Sequence, residues 1–230
     1  MDGFYLKIIA LAAMFIDHTG SILDLMPMRY IGRIAFPIYA FLIAEGCMYT
    51  KNIKKYMFRL FIFGLASQVP FAIFTESVTF FSYLNIFFTL SLGVLSIYTH
   101  KLIMRKVYNA NLRIILIFLS LFGLAAVAEL INTDYGSIGV VWIYCFYICK
   151  SSNISLVAVK LIQAVVVLAF LLLLYPISTT HGLYLFLGGS ISLMPILLYD
   201  GKKGKSIKWF FYVFYPSHLI VLIFLRYYFL

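Results

Sequence analysis

The sequence predicts an all-α protein, a polytopic membrane bundle of about nine transmembrane helices with a cytoplasmic N-terminus. Three observations carry that prediction. Apolar runs close to the roughly 20 residues that cross a bilayer as a helix follow one another along the chain. Of the 230 residues, 64% are hydrophobic and 11% charged, whereas a soluble domain is roughly half apolar and about a quarter charged. Basic residues gather at alternate loops, as the positive-inside rule requires. The runs are continuous rather than alternating, so the spans are helices and not barrel strands. The length suits a single integral membrane domain over 1–230.

Taken in order, the helices fall at 5–26, 30–50, 56–76, 84–100, 112–131, 137–149, 154–175, 182–200 and 208–229. Turn-forming and charged residues mark the breaks: Pro27, Lys51-Asn52, Glu76-Ser77, Lys101, Asn109 to Asn111, Asn132-Thr133-Asp134, Ser151 to Asn153, Pro176, and Gly201 to Gly204. The first run lacks a basic leader and carries Asp17-His18 where a signal peptide is apolar, so it reads as a retained helix. The sixth run is short; about 13 residues rise only ~20 Å. Charge arbitrates. With nine crossings, 15 of the 18 basic residues face the cytoplasm and only Arg29, Arg33 and Arg226 face out. Without the sixth crossing, Lys202 to Lys208 move outside and the bias collapses. The net charge of +10 is then a topology signal, and no nucleic-acid partner is expected. Cys47, Cys145 and Cys149 sit in apolar runs without metal-ligand spacing, so neither a metal nor a bound cofactor is expected. The outer loops are short, which confines any chemistry to the bilayer or its faces.

Four ionisable residues, Asp17, His18, Arg33 and Glu45, lie within thirty positions of one another among apolar runs. A buried intramembrane charge needs a partner or a task. The helical rise places His18 about 20 Å up the first helix, Glu45 about 9 Å above Lys51, and His218 about 15 Å above Lys208. Arg33, Asp134 and Asn85 fall toward the outer face. Groups strung across the membrane suit a path or tunnel. His18 is a natural proton acceptor. Asp17 is its neighbour, but adjacent helical residues diverge. An acid from another helix is therefore expected to orient His18, with Asp134 a candidate, and Asp17 is expected to pair elsewhere, for example with Arg33. Tyr215 and His218 share a helix face. Phe36-Pro37 predicts a kink that frees carbonyls near Arg33. Glu45 and Arg59 read as an inner-face clamp. Lys54, Lys55 and Arg59, with Lys101, Arg105 and Lys106, read either as topology signals or as a rim for a phosphate-rich ligand. Asn85, Thr89 and Gly93 form a stripe, either a close-packing face or a tunnel wall. Ser67-Gln68 adds polar groups beside Pro70, and Lys160 snorkels to the inner face. His100 and His181 receive no role.

Several strings resemble the TraX family: Met14 to Gly20, Gly32 to Gly46, Lys55 to Leu60, Ser67 to Phe71, Asn85 to Leu90 and Tyr215 to Leu219. The likeness spans nearly the whole chain and is most specific in the first hundred residues. It implies an activity similar to a membrane N-acetyltransferase of conjugative pilin, within a wider group of transmembrane acyltransferases. It also implies acetyl-CoA, or another acyl-CoA, as a cytosolic co-substrate and a peptide, pilin or glycan as acceptor, at the bacterial inner membrane. On that reading acyl-CoA phosphates meet Lys54, Lys55 and Arg59, His18 is the general base and His218 a second candidate. Arg33 or Asn85 steadies the oxyanion, and Asp134 or Glu45 holds an imidazole or an acceptor amine. The rival classes are a proton-coupled transporter or channel, which also uses intramembrane His and acids, and a structural assembly factor.

Overall fold

The computed structural model describes residues 1–151, 155–175, 177–205 and 208–229. Its helices are α1 (Gly3–Ile22), α2 (Met26–Gly32), α3 (Ala35–Tyr49), α4 (Ile53–Phe74), α5 (Ile86–Lys106), α6 (Ala110–Leu130), α7 (Gly136–Ser151), α8 (Leu156–Leu174), α9 (Thr180–Ser190), α10 (Leu193–Leu197) and α11 (Lys208–Phe229). The α2–α3 pair and the α9–α10 pair each make one candidate span, Met26–Tyr49 and Thr180–Leu197. Among the described residues eight helices are long and apolar enough to cross a membrane, and α7 is a shorter apolar helix beside them. The protein is a multi-pass helical membrane protein, as the composition predicts.

The element limits need three corrections. Lys101, expected at a break, lies inside α5, which runs on to Lys106. Pro27 opens a helix rather than interrupting the chain; at the first turn its missing N–H costs no helical bond. The rod expected over 30–50 is broken at Arg33-Ile34, where the backbone N–H groups turn back to Tyr30 and Ile31. The breaks expected at Ser152-Asn153 and at Pro176 lie outside the described residues.

The expected single domain over 1–230 is laid out as two compact units, 1–42 with 149–230, and 43–148. In the first, α1 packs on α2 and α11, α2 on α9, and α8 on α9 and α10. Close approach relies on glycine. A Cβ on Gly188 would overlap the Tyr30 carbonyl, which is backbone and cannot yield. The N-terminus is tied down. Its ammonium donates to the Leu198 carbonyl at 2.9 Å and pairs with Asp200 at 3.7 Å, and Gly3 donates to the Lys202 carbonyl at 2.7 Å. The Lys202 amide donates to Asp200 at 2.9 Å and holds that carboxyl below its ordinary range, with the terminal ammonium adding to the effect.

In the second unit α5 packs on α4 and α6, around a core that includes Val94, Ile97, Trp142, Ile143 and Phe146. The 76–84 and 132–136 connections are bonded together: Leu84 donates to Asn132 at 2.9 Å and Asp134 to Leu84 at 2.8 Å.

Contacts inside each unit join helix ends that nine crossings place on the same side. Lys160 Nζ reaches the Leu197 carbonyl at 2.7 Å, Lys101 Nζ the Cys47 carbonyl at 2.6 Å, and Tyr30 the His181 ring at 3.3 Å. The tie between Met1 and the 198–202 segment demands an even number of crossings between them. Counting α7 makes eight; omitting it makes seven. The tie fits the count that includes α7.

Gly188→Ala is expected to lower stability by about 1–3 kcal/mol, because the added methyl has nowhere to go. Gly123→Ala, with nothing within 4 Å of its Cβ position, is expected to leave the unfolding midpoint in detergent unchanged.

Candidate functional site

The first unit brings its two intramembrane histidines together. His18 lies on α1 and His218 on α11, and His18 Nδ1 stands 2.7 Å from His218 Nε2. The two imidazole planes differ by 4°. One turn earlier on α11, the Phe214 carbonyl oxygen lies 2.9 Å from His218 Nδ1. The Phe214 ring is nearly parallel to His218, while Phe15 and Tyr215 meet it edge-on. His218 is 3% exposed; His18 is half-buried. The face shared by Tyr215 and His218 is present, and their rings lie 5.5 Å apart. The partner at His18 Nδ1 is the His218 imidazole.

Next to this pair in sequence lies an ion cluster. Arg33 Nη2 donates to Asp17 Oδ1, Arg33 Nη1 to the Tyr175 hydroxyl at 3.2 Å, and Arg33 Nε to the Arg29 carbonyl at 3.3 Å. Arg29 Nε lies 3.6 Å from the same Asp17 oxygen. The break at Arg33-Ile34 explains how Arg33 reaches a backbone carbonyl of its own helix: the turn there has released the regular ladder. Gly32 explains how Asp17 comes so close, since any Cβ there would overlap the carboxylate. The pairing of Asp17 with Arg33 agrees with expectation. Sequence reasoning missed Arg29, counted only as an outer charge, and Tyr175. The i, i+4 spacing of Arg29 and Arg33 was the available signal for the former.

In the second unit Gln68, Asn85 and Thr89 are committed to the fold. Asn85 is fully buried. Its Nδ2 donates to the Gly64 carbonyl and to Gln68 Oε1, both at 2.8 Å, and its Oδ1 caps α5 by accepting from Phe87 at 3.1 Å. Gln68 Nε2 in turn donates to the Phe80 and Tyr83 carbonyls. Both amide hydrogens of Asn85 are thus engaged, which corrects its expected role as an oxyanion donor. Asp134 Oδ1 accepts from the Tyr83 hydroxyl at 2.9 Å, and the Asp134 carbonyl from Thr89. The stripe from Asn85 to Gly93 is a packing face, with Gly93 against Ile143. Glu45 is buried. The Arg59 guanidinium lies 5.9 Å from the Tyr56 ring centre.

Lys54, Lys55, Phe58 and Arg59 line one open depression of about 480 Å³. Arg59 Nε is buried without a hydrogen-bond partner among the described residues. Such a group is costly to leave unmet, and three cations around one hollow suit an anion. His100 and His181, given no role, bond to Tyr144 at 2.8 Å and Tyr30 at 3.3 Å.

Asp17→Ala strands two guanidiniums and is expected to cost about 3–5 kcal/mol of stability. Combining it with Arg33→Met should recover part of that loss, a coupling that a double-mutant cycle of unfolding midpoints reads directly.

Comparison with known proteins places this architecture. A probable fimbrial assembly protein of Dichelobacter nodosus (FimC, serogroup H1) is 28% identical over 254 residues, covering 96% of this chain and 94% of the relative. No solved structure matches the chain. The family model described as TraX protein matches residues 3–226. From end to end, therefore, the chain belongs to the TraX family.

Proposed function

We propose that the protein is an inner-membrane acyltransferase that moves an acetyl group from cytosolic acetyl-CoA to an amine or hydroxyl of a peptide, pilin or glycan, in the service of fimbria or pilus assembly. The assembly role is carried over from the relative's name. The observation that supports chemistry is the His18–His218 pair, a basic nitrogen system held by two helices inside an apolar unit. A structural contact between two spans does not call for two imidazoles.

In this reading His18 accepts the acceptor's proton as its nitrogen or oxygen attacks the thioester carbonyl. A C–N or C–O bond forms, the C–S bond breaks, and the proton passes to the departing CoA sulfur. The guanidiniums of Arg29 and Arg33 flank Asp17, and positive groups near His18 favour a developing oxyanion. The donor's phosphates are assigned to the depression lined by Lys54, Lys55 and Arg59.

Purified protein in nanodiscs with labelled acetyl-CoA is expected to release CoA and label an amine or pilin-peptide acceptor. His18→Ala should lower kcat by about 10²–10⁴-fold. The Lys54→Ala/Lys55→Ala pair should raise KM for acetyl-CoA roughly tenfold, the scale of a charged hydrogen bond. Absence of both CoA release and acyl-CoA binding overturns the reading; proton flux in sealed vesicles in their place selects the transporter class.

A further inference from the structure

The connection from α4 to α5 is bonded internally to a degree that a loop in water does not need. From Ser77 to Leu84 it holds no charged residue. Its carbonyl oxygens are met nearly one after another. The Ser82 hydroxyl donates to the Thr79 carbonyl at 2.9 Å. Gln68 Nε2 donates to the Phe80 and Tyr83 carbonyls at 2.6 Å and 2.8 Å. Asn132 Nδ2 donates to the Ser82 carbonyl at 2.7 Å, and the Asp134 amide to the Leu84 carbonyl at 2.8 Å. Three of these donors belong to other segments, Gln68 to α4 and Asn132 and Asp134 to the turn after α6. A carbonyl in water finds a donor without help; in a dry zone each unmet one is costly.

The side chains of the same loop are treated the opposite way. Val78 is 96% exposed, Phe80 54% and Phe81 66%. The loop satisfies its backbone within the unit and leaves its apolar side chains uncovered. Its depth follows from the helices that carry it. α4 and α6 have 22 and 21 residues, a rise of roughly 32 Å each, close to the ~30 Å hydrocarbon core. Their N-terminal ends carry Lys54, Lys55, Arg59 and Arg113, so the loop lies at the opposite, outer face, level with the headgroups. Exposed apolar residues lead up to it along both helices, Val69 and Ile73 on α4 and Val127, Leu130 and Ile131 at the end of α6.

We infer that the 77–84 loop is an interfacial membrane element, with Val78, Phe80 and Phe81 seated in the outer leaflet where headgroups meet acyl chains. Lipid is the occupant because the exposed side chains continue the apolar faces of α4 and α6, and because the loop holds no charge for a polar partner to read. Burying the two phenyl rings in lipid removes apolar surface from water, and the met carbonyls let the backbone follow them without stranding a polar group. The anchor also reaches the helix behind it. Gln68 Oε1 accepts from the Asn85 amide at 3.1 Å, and Asn85 caps α5. The depth of the loop in the leaflet thereby sets the level at which α5 begins. None of this depends on the proposed acyl transfer.

The test uses the full chain in nanodiscs of phosphatidylethanolamine and phosphatidylglycerol, with a nitroxide attached at Val78→Cys or at Phe81→Cys. Both side chains are exposed, so neither change disturbs packing. Cys47 and Cys149 are buried and Cys145 half-buried; the unsubstituted chain, labelled in parallel, gives the background. Collision with oxygen, which concentrates in lipid, is compared with collision with a water-soluble nickel chelate. At both positions oxygen is expected to win, at a depth of about 5–10 Å below the phosphates, while at Lys203→Cys, on an exposed loop, nickel is expected to win. Phe80→Ser/Phe81→Ser should reverse the order at Val78→Cys. Asn132→Gly, which keeps the positive φ of that position and removes the donor to Ser82, should raise nickel access there. Nickel winning at both loop positions in the otherwise unchanged chain overturns the inference, since the loop then lies in water. Exclusion of both reagents overturns it in favour of a protein cover, and dipolar coupling between labels identifies that cover as a second copy. Nickel access unchanged by Asn132→Gly overturns the role of the met carbonyls.

Discussion

One carboxylate held between two guanidiniums is the constraint around which the first unit is arranged. Asp17, Arg33 and Arg29 lie among apolar helices, where an ion without a counter-ion is prohibitive. A buried pair adds little net stability over an apolar one, yet removing either partner leaves the other stranded. The local backbone is shaped to avoid that. The helix is interrupted at Arg33-Ile34, Gly32 has no side chain, and Pro37 restarts the helix where its missing N–H is harmless. The cluster that must be neutralised for folding includes Asp17, the neighbour in sequence of the candidate base His18.

The two units use buried polarity differently. In the second unit Gln68, Asn85, Thr89 and Asp134 close on backbone carbonyls and on one another, and the result is a rigid connection between loops and helix starts. A satisfied network of that kind specifies structure. In the first unit the bonds from the Phe214 carbonyl run through His218 to His18 and join two helices far apart in the sequence.

Most of the fold was legible because lipid leaves a helix few alternatives. Long apolar runs, their punctuation and the bias of the basic residues gave the helices themselves, eight of them long enough to span and α7 shorter. The break inside Met26–Tyr49 was legible from Phe36-Pro37, because Pro37 cannot donate to the carbonyl four residues earlier, at Arg33, and its ring crowds it. The meeting of His18 and His218 followed from matched depths. The role of Asn85 did not, because a polar residue at a helix start reads equally as a cap or as a donor, and only the positions of Gly64 and Gln68 decide. Arg29 was hidden by the success of the positive-inside count, which treats every cation in a loop alike. Tyr175 carries no local signal, since its hydroxyl acquires meaning only when α8 ends beside Arg33.

The first unit is discontinuous in sequence, and this bears on its biosynthesis. Asp17 finds Arg33 only 16 residues on, so its charge is covered almost as soon as α2 leaves the ribosome. His18 waits for a partner 200 residues later. At about 5–20 residues per second, that is roughly 10–40 s during which α1 is in the bilayer without α11. The contiguous second unit, 43–148, is complete well before then. The nascent protein therefore carries an assembled half and an unfinished half, and the histidine pair comes into being only with the last helix.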